Sequence, residues 1–359
     1  MISEILSVNL NDGTITEEDA LDFSTMNNVS SCAFRGIVSS VLGKQLNDTP
    51  ERNMALEAGD LCHKVYAVWR ALSIKDEDLQ DVYVKKFLKQ VVPDMDNELF
   101  DKEVEKLVGK SITCLTPLAE MMVYADWIIE NSGYYDDEKD KKRTIENIRT
   151  SLMAYGSNFL ELVKEEPVWI SEDRTKVGIE LPFEKHLIIK YIEDGVEKEK
   201  DIQFIGKIDG IHVHSNGKLI IHENKTASRL DDSWLAQWYM SHQVTGYCLA
   251  ASNFVGEFID QARVLGMQIP VPKMSGYAFR TDRVDRPTHF IENWAKWVLT
   301  QAKTIEEYKD CPEKAIMNTR SCCAFYSTCP LMCICTLPED ERKQTIVQMP
   351  VKKWSPLND

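Results

Sequence analysis

The chain has 359 residues, of which 43% are apolar and 28% are charged, so it can bury one large core or two modest ones. Its 57 acidic and 42 basic residues give a net charge of −15, which argues against a general nucleic-acid coat protein. The same balance allows an enzyme with a local basic groove whose acidic residues hold a metal. No apolar run is long enough for a membrane-spanning helix, and the acidic first residues do not resemble a secretory signal, so we expect a cytoplasmic protein.

The first part of the chain is predicted to be mostly helical. Residues 1–29 read as an acidic, loosely ordered lead-in, and a short helix is expected to start at Ser30 or Ser31 and to continue past Cys32. Longer helices are expected at about 54–72, 76–92, 117–131 and 136–164, the last of them starting in a solvated charge run. Residues 30–165 therefore form a predicted helical region.

The pattern changes to β-like segments after Pro167. VWISED, VGIELPF and HLIIKYI are typical of strands, and Asp194-Gly195 predicts a hairpin turn leading into DIQFIGKIDGIHVH. The strand KLIIHENK follows, and helices are expected at roughly 233–251 and 288–308. Helices, then a β-meander, then helices indicate an α/β fold with a helical N-terminal insertion.

Two predicted strands between residues 205 and 225 carry Asp209, Glu223 and Lys225. A two-residue Asn-Gly loop between them would place Asp209 opposite Asn224, whereas a three-residue loop, 215–217, places Asp209 opposite Glu223. Only the three-residue loop gives one consistently apolar face, and it suits a turn that ends with a left-handed glycine. The further pairs in that register are His214–Lys218, Val213–Leu219 and Ile211–Ile221.

Two carboxylates at one cross-strand spacing repel each other unless a cation lies between them. Carboxylate oxygens suit Mg²⁺ or Mn²⁺, and a neighbouring lysine can orient water and offset charge that develops on a phosphate. Asp209, Glu223 and Lys225 therefore form a candidate catalytic group. The alternative is an exposed Glu-Lys pair and an aspartate at a strand end.

The segments IGKIDGI and HENKT resemble the D…(D/E)xK core of the PD-(D/E)XK nuclease superfamily, and specifically its RecB-like exonuclease branch. The matching residues are Gly206, Asp209, Glu223, Lys225 and Thr226. The resemblance implies a restriction-endonuclease-like core, with a mixed central sheet flanked by helices, over residues 166–310. It also implies metal binding by Asp209 and Glu223, with the main-chain carbonyl of Asn224 as a further ligand.

Shorter segments resemble other motifs of the same branch. Gly59 and His63 match its G-x-x-x-H motif, in which the histidine is a metal ligand, and Gln243 and Tyr247 match its Q-x-x-x-Y motif, which supports substrate placement. Spacing of four residues places each pair on one helix face. Glu180 lies where the branch often has a glutamate before the aspartate strand. Ordinary helix residues remain the alternative for His63, Gln243 and Tyr247.

Six of the ten cysteines lie between Cys311 and Cys335. A dense cysteine cluster in an intracellular chain points to metal rather than to disulfides. Some RecB-like nucleases hold a [4Fe-4S] cluster with one cysteine before the core and three after it, and the layout here resembles theirs. The resemblance implies the ligands Cys32, Cys322, Cys329 and Cys335, in a cysteine segment at 311–337 that precedes a polar tail at 338–359.

The cluster assignment leaves alternatives open. Cys323 or Cys333 could replace a neighbouring ligand, and four thiolates suit structural Zn²⁺ as well as iron–sulfur. The remaining cysteines, Cys62, Cys114 and Cys248, are predicted to be buried as small hydrophobic side chains.

Together these residues indicate a Mg²⁺- or Mn²⁺-dependent DNA exonuclease acting in recombination, repair or phage DNA processing, in a bacterial or phage-infected cell. Asp209, Glu223 and Lys225 would be catalytic, and His63 would complete the metal site. The chain carries no helicase motif, so a helicase or recombinase is a candidate partner. One alternative is a catalytically silent DNA-binding or scaffold partner of such a protein, and a weaker one is a zinc-stapled interaction protein.

Overall fold

A computed structural model of the chain describes residues 2–16, 19–46, 52–273, 276–320, 322, 328–352 and 355. The helices are α1 (Phe23–Ser31), α2 (Ala33–Arg35), α3 (Met54–Leu72), α4 (Glu77–Val91), α5 (Asn97–Ser111), α6 (Pro117–Asn131), α7 (Ile145–Glu165), α8 (Asp232–Tyr239), α9 (His242–Val255), α10 (Thr288–Tyr308), α11 (Met332–Cys335) and α12 (Glu339–Gln348). One turn of π-helix (Gly36–Val41) follows α2, and a 3₁₀ turn (Pro312–Lys314) follows α10. The strands are β1 (Ile2–Asn11), β2 (Ile179–Glu193), β3 (Val196–Val213), β4 (Leu219–Ala227), β5 (Gln261–Gln268) and β6 (Phe279–Asp285).

The strands form one open, mixed sheet in the order β1-β2-β3-β4-β5-β6. Strand pairs β1–β2, β3–β4 and β5–β6 are antiparallel, whereas β4 and β5 are parallel. Parallel neighbours need a long crossover, which α8 and α9 provide. The predicted α/β class is therefore confirmed. Within the described residues, no helix is both long and apolar enough to cross a membrane.

The chain divides into two compact units. Unit 1 comprises Met1–Arg52, Pro182–Lys207 and Pro287–Asp359, and unit 2 comprises Asn53–Leu181 and Ile208–Arg286. Strands β2 and β3 each continue from one unit into the other. Unit 2 therefore contains Asp209, Glu223, Lys225 and His63, whereas unit 1 contains the four cysteines assigned to a cluster.

In unit 1, the apolar face of α10 packs against α1 and β1. The Trp294 and Phe204 rings lie 5.7 Å apart in an edge-on contact. In unit 2, α3 packs against α4, α6 and α7. Trp69 of α3 stacks on Tyr155 of α7 with ring centres 6.4 Å apart, and its Nε1–H donates to the Met121 carbonyl at 2.9 Å. Aromatic burial of this kind holds α3 firmly in the core, because each such ring removes a large apolar area from water.

The first residues differ from the prediction. Residues 2–11 are a strand rather than loosely ordered, because Leu6, Val8 and Leu10 alternate with polar residues and β1 pairs with β2. The acidic composition concealed this short alternation. The helix expected to begin at Ser30 or Ser31 begins slightly later, after the extended Cys32, as α2 and the π-helical turn. Helix α1 before it was not predicted, and the Asp22 side chain caps it by accepting from the N–H groups of Ser24 and Thr25.

Helix predictions were right where apolar periodicity was strong and wrong where hydrogen bonds from polar side chains determine where a helix begins. The predicted spans 54–72, 117–131 and 288–308 coincide with α3, α6 and α10. The charge run 136–143 does not begin a helix, because Asp137 and Asp140 accept hydrogen bonds from nearby main-chain N–H groups in turns. Helix α5 and the tail helix α12 were not predicted.

The single helix expected at 233–251 is broken in two. The Ser241 hydroxyl accepts from the Val244 N–H and so begins α9, while α8 ends at Tyr239. Arg286 supports the break, since its Nη2 donates to the carbonyls of Trp238 at 2.6 Å and Ser241 at 3.4 Å.

A buried polar cluster links the end of α7 to β4 and β5. Glu166 accepts from His222 Nε2 at 2.6 Å and from Arg263 Nε and Nη2 at 2.8 and 2.6 Å. The His222 ring stacks on His212 with centres 3.7 Å apart. Burial alone would raise the pKa of Glu166, but the hydrogen bonds from His222 and Arg263 outweigh burial and lower it from 4.5 to about 2.

This depressed pKa predicts an acid-sensitive fold. A carboxyl group that is more acidic in the folded state contributes stability above its unfolded pKa of 4.5 and loses that contribution as pH falls towards 2. A shift of this size corresponds to about 3 kcal/mol. The urea midpoint of the wild type should fall steeply between pH 5 and pH 3. Glu166→Gln should be less stable at pH 6 and lose less on acidification, with Glu105→Gln on exposed α5 as the baseline. Parallel curves for wild type and Glu166→Gln would contradict the prediction.

Candidate functional site

The β3–β4 hairpin has the predicted three-residue loop. Val213 pairs with Leu219 and Ile211 with Ile221, and the His214 N–H donates to the Lys218 carbonyl at 2.8 Å. Gly217 has a φ of +83°, the left-handed conformation that this turn requires. The ladder continues to the pair Gly210–His222, so that the same register sets Asp209 opposite Glu223.

The face of the hairpin opposite the predicted apolar face is buried as well. His212 and His222 lie on it, and both have no exposed surface. Their rings are covered because the end of α7 supplies partners for them, namely the Glu166 carbonyl and carboxylate. Sequence alternation predicted the register correctly, although it did not predict that both faces would be covered.

Three side chains from three elements converge beside this hairpin. His63 Nδ1 of α3 lies 3.5 Å from Asp209 Oδ1 and 3.9 Å from Glu180 Oε1. A ligand atom of each of the three lies within 4.8 Å of the other two, a spacing that suits one metal ion. Two of these residues are predicted site residues, and Glu180 is the glutamate noted in VGIELPF.

Glu180 reaches the group through an uncommon main-chain conformation. Its φ is +45°, in the left-handed region that residues with a Cβ seldom adopt. Close packing precedes it, because a Cβ added to Gly178 would lie 2.4 Å from the Ile211 carbonyl oxygen. Local strain at a residue whose carboxylate faces other acidic groups is typical of functional positions.

The electrostatics of the group are unbalanced. Glu223 is almost fully buried, and burial together with the charge of Asp209 raises its pKa to about 7. Glu223 Oε1 accepts from Lys225 Nζ at 2.6 Å, whereas its Oε2 is buried with no hydrogen-bond partner among the described residues. Asp209 Oδ2 accepts from the Asn224 N–H at 2.7 Å. Three carboxylates therefore share one ammonium group and one imidazole, an arrangement that favours further positive charge.

His63 and Lys225 respond to the same carboxylates. Burial opposes protonation of His63, but Asp209 and Glu180 outweigh it and raise its pKa. Burial likewise opposes the charge on Lys225, but Glu223 and Asp209 outweigh it, so its pKa is raised and it stays an ammonium group. Lys225 Nζ also lies 5.8 Å from the centre of the Trp238 ring, a cation–π contact that the sequence did not indicate.

The side chain of Asn224 makes buried hydrogen bonds in addition to the metal-ligand role predicted for its main chain. The predicted ligand atom is its main-chain carbonyl, whereas its side chain is fully buried beside Tyr155 and Arg70. In the orientation that satisfies both neighbours, its amide oxygen accepts from Arg70 Nη1 and Nη2 at 3.0 and 2.6 Å. Arg70 lies seven residues after His63 and thus on the same face of α3, which is the one sequence signal that could have identified it.

The predicted helix motifs take the expected local form. Gln243 Nε2 donates to the Tyr247 hydroxyl at 3.2 Å across one turn of α9, which packs against β4 and β5. Gly59 faces the end of β4, where an added Cβ would lie 3.5 Å from Thr226 Oγ1. That is an ordinary contact distance, so a methyl group would fit and glycine is not required there.

The four cysteines predicted to hold a cluster lie in unit 1. Burial, and then the nearby thiols of Cys32, Cys329 and Cys322, raise the pKa of Cys335 to about 11. The Cys329 N–H donates to the Cys322 carbonyl at 2.7 Å, and Cys32 Sγ accepts from the Asn318 N–H at 3.4 Å. In the described part of the chain, however, the thiols do not form a second group as tight as that of His63, Glu180 and Asp209.

The other cysteines differ in exposure. Cys333 is exposed and its thiol donates to the Pro330 carbonyl, while Cys323 lies outside the described residues. Cys62 and Cys248 are buried as predicted, and burial raises the pKa of each to about 12. The prediction was wrong for Cys114, which is half-exposed because it follows the last turn of α5.

Comparisons with known proteins give no match from which a function could be inferred. No protein-family model and no curated protein sequence matches this chain.

Proposed function

We propose that the chain is a metal-dependent DNA exonuclease of the PD-(D/E)XK type that hydrolyses phosphodiester bonds. The observation that carries the proposal is the buried, under-neutralised carboxylate group of unit 2, with His63 on one side and Lys225 on the other. A structural salt bridge would pair its charges, whereas here three carboxylates share two basic groups: Asp209 and Glu223 act on Lys225, and Asp209 and Glu180 act on His63. The resemblance to the D…(D/E)xK core suggests that this arrangement carries out metal-dependent phosphodiester hydrolysis.

The donor set fits a divalent cation. His63, Glu180 and Asp209 would hold it. Glu223 lies outside that triad, and its Oε2, which has no hydrogen-bond partner among the described residues, would be a further oxygen ligand. Carboxylate oxygens favour Mg²⁺ or Mn²⁺, and the imidazole nitrogen tips the preference towards Mn²⁺. When bound, such an ion polarises a phosphoryl oxygen and lowers the pKa of bound water.

Lys225 supplies the second part of the chemistry. Its Nζ remains an ammonium group held by Glu223 Oε1, so it can donate a hydrogen bond to water or to a phosphate oxygen. Positive charge at that position offsets the negative charge that develops as the phosphodiester bond breaks. Asp209 is held for its part by the Asn224 N–H, which fixes one carboxylate oxygen and leaves the other towards His63.

DNA would be the substrate, with Gln243 and Tyr247 supporting its placement from α9. The overall charge of −15 does not attract DNA over a distance, so binding would rest on local contacts at the site. A helicase or recombinase partner would supply single-stranded ends, in line with the RecB-like resemblance.

Removal of either charge at the site should abolish cleavage. Asp209→Asn and Lys225→Met should each lower the rate by at least about 100-fold, because each removes a charge needed when the bond breaks. The measurement is release of label from end-labelled single- and double-stranded DNA with Mn²⁺, Mg²⁺ or EDTA. Lys218→Met, in the exposed turn of the same hairpin, is the matched control. Wild-type rates in the purified Asp209→Asn or Lys225→Met protein would overturn the proposal.

Metal affinity should depend on His63 and Glu180. Calorimetric titration of His63→Ala should show weaker Mn²⁺ binding and a smaller preference for Mn²⁺ over Mg²⁺, because the nitrogen ligand is lost. Glu180→Gln should weaken both ions alike. His289→Ala, at an exposed histidine, gives the baseline. Unchanged titrations would make His63 and Glu180 packing residues.

We further propose that Cys32, Cys322, Cys329 and Cys335 hold a [4Fe-4S] cluster. The support is that burial and the other three thiols together raise the pKa of Cys335, which indicates that the four thiols lie near one another, and such thiols gain stability when a metal takes their protons. The cluster is structural in this proposal and ties the N-terminal helices to the C-terminal segment within unit 1. Structural Zn²⁺ is the alternative.

Anaerobically purified protein should be brown, with about four irons per chain. Cys32→Ser and Cys329→Ser should lose the colour and lower the melting temperature more than Cys114→Ser does, because ligand loss removes folding free energy. Colourless protein with one tightly bound zinc would replace the iron–sulfur assignment. Equal stability of Cys32→Ser and Cys114→Ser would reject metal binding at Cys32.

A further inference from the structure

Arg70 is a fully buried cation in the helix that carries His63. Its Nη1 and Nη2 donate to the Asn224 amide oxygen, and its Nε donates to His212 Nε2 at 3.2 Å. His212 can accept because its other nitrogen, Nδ1, donates to the Glu166 carbonyl at 2.8 Å. No carboxylate lies within ion-pair distance of the Arg70 guanidinium among the described residues. The guanidinium thus acts here as a rigid fork of donors.

The fork holds the main chain that carries the proposed metal ligands. Asn224 lies between Glu223 and Lys225, and side chains alternate along a strand. Arg70 therefore binds β4 on the face opposite the one that carries Glu223 and Lys225. The same Asn224 donates its N–H to Asp209 Oδ2 at 2.7 Å. Asn224 therefore joins Arg70, through its side-chain amide, to Asp209 of the other strand, through its main-chain N–H.

Gly210, the neighbour of Asp209, leaves the space that Arg70 needs. A Cβ at this position would lie 2.9 Å from Arg70 Nε and 2.9 Å from His212 Nε2, closer than side chains tolerate. The bland explanation is that Arg70 merely satisfies buried polar groups. That explanation does not require the donors to converge on the one residue between Glu223 and Lys225.

We propose that Arg70 is a positioning residue for the metal site, acting through the Asn224 amide to set where Glu223, Lys225 and Asp209 stand. The proposal deepens the proposed function and rests on the metal site of unit 2. Substitution of a residue that orients metal ligands in this way commonly lowers metal affinity or activity by about 10–100-fold.

A double-mutant cycle tests the proposal without relying on DNA cleavage. Mn²⁺ affinity is measured by calorimetry for wild type, Arg70→Met, Asn224→Leu and the double variant, all of which keep the Asn224 main-chain carbonyl. Each single change should weaken Mn²⁺ binding by about ten-fold, and the double variant should be no weaker than either, because both remove one interaction. Arg286→Met, another buried arginine but one that donates to main-chain carbonyls, should lower the melting temperature and leave Mn²⁺ affinity unchanged.

The outcomes separate the two proposals. Additive losses, or wild-type Mn²⁺ affinity in Arg70→Met, would reject the positioning role while leaving the nuclease proposal intact. Coupled losses in a protein that does not cleave DNA would reject the nuclease and keep the positioning role, and a wild type that binds no Mn²⁺ would reject both. If Arg70→Met does not fold, Arg70→Lys serves instead, since it keeps the charge and loses the fork. In cleavage assays this variant should lose kcat at unchanged KM.

Discussion

The site depends on one unfavourable arrangement, the burial of Asp209 and Glu223 at adjacent positions of a hairpin, with Glu180 nearby. Carboxylates in a poorly polar interior repel each other strongly, and protein atoms alone do little to relieve this. Lys225 neutralises one oxygen of Glu223 and a main-chain N–H serves one oxygen of Asp209. The remaining imbalance appears as the raised pKa of Glu223. A cation held by His63, Glu180 and Asp209 would relieve this repulsion, which supports the proposed metal site over a structural salt bridge.

Rigid neighbours make that arrangement possible. Helix α3 is fixed by aromatic packing in the core of unit 2, so His63 and Arg70 approach the hairpin from a helix that cannot easily shift. Beyond Arg70, hydrogen bonds continue through His212 to Glu166, and from Glu166 to His222 and Arg263. The bonds to Glu166 and Arg70 fix His212 with its proton on Nδ1, whereas Nδ1 of His222 is buried with no hydrogen-bond partner among the described residues. A connected network of this kind specifies one position for β3 and β4 more sharply than apolar packing would.

The cysteines of unit 1 form a second, separate group, in which burial and three neighbouring thiols oppose the ionisation of Cys335. A bound metal would supply the positive charge that favours its thiolate. A metal would also connect α2, which follows Cys32, to the C-terminal helix α11, which Cys335 ends. The two proposed sites thus use opposite chemistry: oxygen ligands in unit 2 and sulfur ligands in unit 1.

Local patterns in the sequence were sufficient for the long helices, the α/β class and the register of the β3–β4 hairpin. Apolar periodicity identified α3, α6 and α10, and the requirement for one apolar face selected the three-residue loop that places Asp209 opposite Glu223. These features follow from interactions between residues close in sequence, and so the sequence determines them directly. The acidic composition of the first residues was misleading, because it concealed the short apolar–polar alternation that forms β1.

Only the tertiary structure decided which distant residues complete the site. The approach of Glu180 depends on an unusual main-chain conformation beside Gly178, and the role of Arg70 depends on α3 lying against β4. The burial of His212 and His222 depends on α7 ending beside them with Glu166. No periodicity encodes these contacts, because each joins elements that are far apart in the chain and is fixed by the packing of the whole unit. The sequence alone therefore determined the acidic pair and its lysine, and tertiary packing decided what surrounds them and how strongly their charges are felt.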